Sequence, residues 1–229
     1  MARASTTHHD GRHNSRDAGK SHSRQMPKSH ANSRRQRGSS VNPEWLRDFL
    51  SEMLAVEMGG VKLYGKALNE LQHPEHEDKL GQFLQQTERH VELCTEMLEA
   101  AGGDSNYQSP GAQAAEQKAD GLMSAEVPAE MADLNNIENL VLAETKDHWN
   151  WETLASVVSK IGDPELKRMA TKAISEVRKQ EKMHLDWNEK TLTKLAMESA
   201  MRAPGEDMGE SEADDGIEEE EMAADQEED

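Results

Sequence analysis

The sequence predicts an all-α protein: an antiparallel four-helix bundle of two helical hairpins, joined by one long crossover and flanked by charged tails. Two observations carry this. Apolar residues recur at alternating steps of three and four, the period of a helix, and nothing reads as a strand. Four of the seven prolines also stand where a helix would open: "NPEWL", "HPEHE", "VPAEM" and "DPELK". Proline suits the first helical position because its missing N–H would be unpaired there anyway. A glutamate follows within two residues each time, where an acid favours the positive end of the helix dipole.

The first helix is predicted over about 43–71, with an inward stripe of Leu46, Leu50, Met53, Glu57, Gly60, Tyr64, Ala67 and Leu71. The second, about 75–101, carries Leu80, Phe83, Thr87, His90, Cys94, Met97 and Ala101, and stops at "AAGGD". The third, about 129–161, carries Leu134, Ile137, Val141, Glu144, His148, Trp151, Ala155 and Val158, and stops at "SKIGD". Glycine at both stops suits a left-handed cap. The fourth, about 164–200, carries Leu166, Ala170, Ile174, Val177, Glu181, His184, Asn188, Thr191 and Leu195. The connectors within each pair are only two or three residues long, which makes antiparallel hairpins. Between the pairs, residues 102–128 form the crossover, with room for a short helix around "PGAQAAEQKADGLM".

Charge is unevenly spread over the 229 residues. Residues 1–42 hold nine Lys/Arg, two Asp and five His; residues 203–229 hold fourteen Asp/Glu and no Lys or Arg. Both ends lack the apolar residues of a core and are expected to be disordered. The folded domain is therefore placed at 43–200. No apolar run approaches the roughly 18 residues of a spanning helix, and the first residues carry no secretory h-region. The single cysteine, Cys94, excludes an intramolecular disulfide, so a cytoplasmic setting is expected.

The inward stripes contain polar residues, and these match between the two halves. Aligning Glu57 with Glu144 and His90 with His184 sets Tyr64 on Trp151 and Thr87 on Glu181. Glu57 lies 17 residues before Pro74, and Glu144 lies 20 before Pro164. His90 lies 16 residues after Pro74, and His184 lies 20 after Pro164. Each arm of the second hairpin is longer by about one turn of roughly 3.6 residues, so the polar groups stay level. Glu181 and His184, three apart, leave one helix face.

On these residues, and on "TERHVEL" and "ETKDHWNWETL", the segment 43–200 resembles the ferritin-like superfamily, which includes bacterioferritin- and rubrerythrin-type proteins. Within it the motifs look most like small stress-associated bacterial ferritin-like proteins. The resemblance implies a carboxylate-bridged pair of iron or manganese ions held by Glu57, His90, Glu144, Glu181 and His184. Carboxylates with imidazoles suit Fe or Mn, and Zn remains compatible. It also implies oxidation of ferrous iron by dioxygen or peroxide, in iron handling or oxidative-stress defence, and a homo-oligomer, a dimer or larger. One ligand of the pattern is missing, because Thr87 stands where the family has glutamate. His148 is a candidate sixth ligand or a hydrogen-bond donor behind the ligands. Tyr64 is a candidate donor to a ligand carboxylate.

Two further readings compete. Residues 1–42 have the charge to bind nucleic acid non-specifically by counterion release, but no base-reading signature, and a solvated arm accounts for them as well. The whole chain can also be a non-catalytic helical interaction or stress protein whose metal site has decayed, acting through its charged tails.

Overall fold

The computed structural model describes residues 40–104 and 106–202. The basic arm up to residue 39 and the acidic tail from 203 lie outside the described residues. Those described are all-helical, with five α-helices and no strand: α1 (Pro43–Asn69), α2 (Glu77–Ala100), α3 (Pro110–Met123), α4 (Ala132–Val157) and α5 (Pro164–Met201). Short 3-10 turns, Pro74–His76 and Ala129–Met131, lead into α2 and α4. None of these helices is long and apolar enough to cross a membrane.

The helix ends follow their local chemistry. Asn42 and Asp163 cap α1 and α5, accepting from the backbone N–H groups of Glu44 and Leu166, with proline next in line. Gly102, at φ 83°, ends α2 in the left-handed region, as "AAGGD" predicts. "SKIGD" behaves differently. There α4 tightens into a 3-10 turn, Val158–Lys160, and leaves through an extended Ile161, so no left-handed Gly162 is needed.

Packing closes a circuit: α1 contacts α2 and α4, and α5 contacts α2 and α4. One apolar cluster joins the start of α1 (Leu46, Leu50, Met53), the end of α2 (Leu93, Met97, Leu98), the end of α4 (Trp151, Leu154) and the start of α5 (Leu166, Ala170, Val177). A second joins the opposite ends through Leu63, Tyr64, Leu80, Phe83, Ile137, Leu140 and Leu195. Neighbours in the circuit are therefore antiparallel. Full burial of each Leu or Phe contributes about 1.5–3 kcal/mol, so the two clusters clamp whatever lies between them. The loop between α1 and α2 is tied down by Asp133 of α4, which accepts from the backbone N–H groups of Gln72 and His73.

The crossover does hold a helix. Ser109 caps α3 and donates to the Asp48 carbonyl, while Ser51 donates to the Tyr107 carbonyl. These bonds seat α3 along the outside of α1. The approach is close: a methyl added at Gly59 would lie 2.9 Å from the Ala119 Cβ. Gly59→Ala is expected to destabilise the fold by about 1–3 kcal/mol, read as a lower denaturant midpoint with helical circular dichroism retained.

Candidate metal centre

Between the apolar clusters lies a layer of buried polar side chains. Glu57, His90, Glu181 and His184 are each 1% exposed or less, and Glu144 is 4%. All five residues expected from the sequence point inward. Two ligand-sized groups form, each with one donor atom per residue and all donors within 4.8 Å of one another: Glu57, His90, Asp147 and Glu181, and Glu144, Glu181 and His184. Glu181 belongs to both.

The layer repeats its hydrogen bonds across the two halves. Tyr64 donates to Glu144 Oε1 at 2.5 Å, and Trp151, its counterpart, donates to Glu57 Oε1 at 2.8 Å. Each glutamate thus has one oxygen fixed by the aromatic of the other half. Tyr64 is the carboxylate donor that its position suggested, and Asn188 in turn donates to its hydroxyl. The histidines are treated alike. His90 Nε2 lies 2.8 Å from Gln180 Oε1, and His184 Nε2 lies 2.8 Å from Gln86 Oε1. An amide oxygen only accepts, so each Nε2 carries a proton, and the other ring nitrogen faces the carboxylates: His90 Nδ1 lies 3.0 Å from Glu181 Oε1 and His184 Nδ1 lies 3.4 Å from Glu144 Oε1.

What remains unsatisfied is the informative part. Buried atoms without a hydrogen-bond partner include Glu57 Oε2, His90 Nδ1, Glu144 Oε2, Asp147 Oδ1, both oxygens of Glu181 and His184 Nδ1. An orphaned buried polar group costs about 1–3 kcal/mol, and more when charged. These atoms face one another, His90 Nδ1 at 3.0 Å from Glu181 Oε1 among them, so a bound cation or shared protons can offset the cost, whereas hydrophobic packing cannot. The donor set, oxygen with imidazole, is compatible with Fe, Mn or Zn.

Without a metal, protons substitute. Burial, and then the charges of Glu181 and Glu57, push the Asp147 carboxyl well above its ordinary range. Burial, and then Glu144 and Glu57, do the same to Glu181. For His90, burial alone would lower the pKa. The adjacent Glu57 carboxylate, helped by Gln180 and Asp147, outweighs it and holds the imidazole at about 9.

No family model matches this chain, and no curated protein or solved structure matches it either.

One candidate ligand, His148, needs correction, Thr87 supplies no ligand in place of the missing glutamate, and three residues were missed. His148 is only partly buried, stacks edge-on with Trp149 and lies outside both groups. The inward stripe of α4 runs Ile137, Leu140, Glu144, Asp147, Trp151, Leu154 rather than through Val141, His148 and Ala155. Both paths alternate steps of three and four from the same residues, and an apolar search passes over an aspartate. Thr87 offers the layer no donor, since its hydroxyl donates to the Phe83 carbonyl at 3.0 Å. The glutamines had a readable signal. "QTERH" (86–90) and "QEKMH" (180–184) share Gln four residues before His. Replacing Gln86 or Gln180 with Leu is expected to weaken metal binding about 10–100-fold by freeing the ring that the amide orients, measurable by anaerobic titration.

Proposed function

We propose that this chain is a ferritin-like four-helix bundle protein that binds iron or manganese within the bundle and oxidises bound ferrous iron with dioxygen or peroxide. Its role would be iron handling or oxidative-stress defence. The observation that carries the reading is the convergence of buried carboxylate and imidazole atoms into two groups within 4.8 Å that share Glu181, with a glutamine oxygen at Nε2 of each histidine. The closed antiparallel circuit around that layer supports the bundle.

Glu57, His90, Asp147, Glu144, His184 and the shared Glu181 would hold the ions. The ions supply the redox step when bound: one electron from each of two ferrous ions takes dioxygen and two protons to hydrogen peroxide, or peroxide and two protons to water. The protein's part is to orient donors and exclude water. Trp151 and Tyr64 hold Glu57 and Glu144 in place, and the apolar clusters on either side keep the layer dry.

The test is elemental analysis after anaerobic reconstitution with Fe²⁺, beside a Glu181→Ala, His184→Ala double variant. Iron bound by the native chain and lost from the variant supports the reading, and oxygen-uptake assays then follow. No iron above the variant sinks it and turns attention to the charged tails as interaction segments.

A further inference from the structure

The two halves of the layer match at Glu57/Glu144, Tyr64/Trp151, Gln86/Gln180 and His90/His184, and they break the match at two places. Thr87 stands opposite Glu181 in the alignment, and Gly60, three residues after Glu57, stands opposite Asp147, three after Glu144. The two breaks touch in space. A methyl built on Gly60 would lie 3.2 Å from Thr87 Cγ2, so Thr87 turns its methyl to Gly60 and its hydroxyl to Phe83. That side of the layer contributes no donor. The other side contributes two buried carboxylates, Asp147 and Glu181, and both converge with Glu57 and His90.

The consequence is unequal coordination. Four side chains from four helices converge as Glu57, His90, Asp147 and Glu181; only three residues, from two helices, converge as Glu144, Glu181 and His184. On a six-coordinate iron or manganese ion, four protein donors leave fewer positions open to an outside ligand than three do. We infer that, if the proposed metal reading holds, this layer has two non-equivalent metal positions: a donor-rich one to which Asp147 adds a fourth side chain, which fills first, and a lean one that draws more of its donors from water or the oxidant. Asp147 replaces, from the opposite hairpin, the carboxylate that Thr87 lacks, but it serves only one of the two positions. Gly60 also lines a cleft of about 470 Å³ between α1, α3 and α4, whose lining includes Val56, Leu63, Ala119, Lys118 and Lys146 but not the donor residues.

The experiment is anaerobic calorimetric titration of the full chain with Mn²⁺ and with Fe²⁺, using two isosteric variants and one gain-of-donor variant. The native chain is expected to bind two ions in separate steps, the first at least tenfold tighter. Asp147→Asn is expected to weaken the tight step tenfold or more, and Glu144→Gln to remove the weak step while sparing the tight one. Thr87→Glu, which restores the missing carboxylate, is expected to tighten the weak step. Two steps of equal affinity, or an Asp147→Asn titration that matches the native one, overturns the inference and leaves the metal reading intact. One ion per chain overturns the second position. No binding at all overturns the metal reading itself. The isosteric pair decides the matter even if Thr87→Glu does not fold, and melting curves establish that each variant is folded.

Discussion

Glu181→Gln is expected to strip metal from the whole layer rather than from half of it. Glu181 is the residue common to both groups of donors, and its buried carboxylate faces His90 Nδ1 at 3.0 Å and His184 Nδ1 at 3.8 Å. Substituting residues that merely orient a ligand costs 10–100-fold in metal affinity, so loss of the shared carboxylate is expected to cost more than about 100-fold at each position. Elemental analysis after anaerobic loading and desalting checks this. Retention of half the native metal content would mean that Glu181 is not shared. The same variant makes an opposite prediction for the metal-free protein. Burial and the charges of Glu144 and Glu57 penalise the ionised Glu181. A neutral amide of the same shape removes that penalty. The metal-free variant is therefore expected to melt no lower than the metal-free native chain at neutral pH, and higher as the pH is raised.

The second large effect is a pH-dependent gap between loaded and metal-free protein. Asp147, Glu181 and His90 all have folded-state pKa values above their unfolded ones. A raised folded pKa means that the native state holds the proton more tightly than the unfolded state. Its stabilisation is complete below the unfolded pKa and is lost as the pH climbs through the folded value. For His90 the window runs from an unfolded pKa of about 6.5 to a folded value of about 9. At 1.36 kcal/mol per unit this is about 3 kcal/mol. At 2–4 °C per kcal/mol, that is on the order of 10 °C in Tm. The metal-free protein should thus lose stability between pH 6 and 9. Bound metal displaces these protons and should hold Tm nearly level, so the gap widens with pH. Melting curves in chelator and in excess Mn²⁺ at both pH values measure it. The charged tails are common to both samples, so their repulsion cancels in the difference. A gap that stays constant or narrows would contradict the proton–metal exchange.

Much of the layer was legible because the residues that carry it lie on apolar stripes. Glu57, His90, Glu144, Glu181 and His184 occupy steps of the same periodicity as their apolar neighbours, and the structure buries all five. The pairing of Tyr64 with Trp151 was legible as a register. That each reaches the glutamate of the opposite half was not, because a register along one chain does not say which helices become neighbours. Gln86 and Gln180 sit beside the stripe rather than on it, and they matter only through the histidine across the interface.

The chain by itself determined the helices, their caps and the repetition of a Glu helix and a His helix in each half. Those depend on local hydrogen bonding, on proline and glycine geometry and on periodicity, all of which act within a few residues. Tertiary structure decided which of two equally periodic faces of α4 turns inward. The two faces share Ile137, Glu144 and Trp151, so a turn smaller than the roughly 100° of one residue brings Asp147 into the layer and His148 out toward the surface, and the choice is set by how Leu140, Trp151 and Leu154 pack against the other helices. The asymmetry of the layer, with donors crowded beside Asp147 and absent beside Thr87 and Gly60, follows from that packing, because only contact between helices distant in sequence assembles the two groups of ligands.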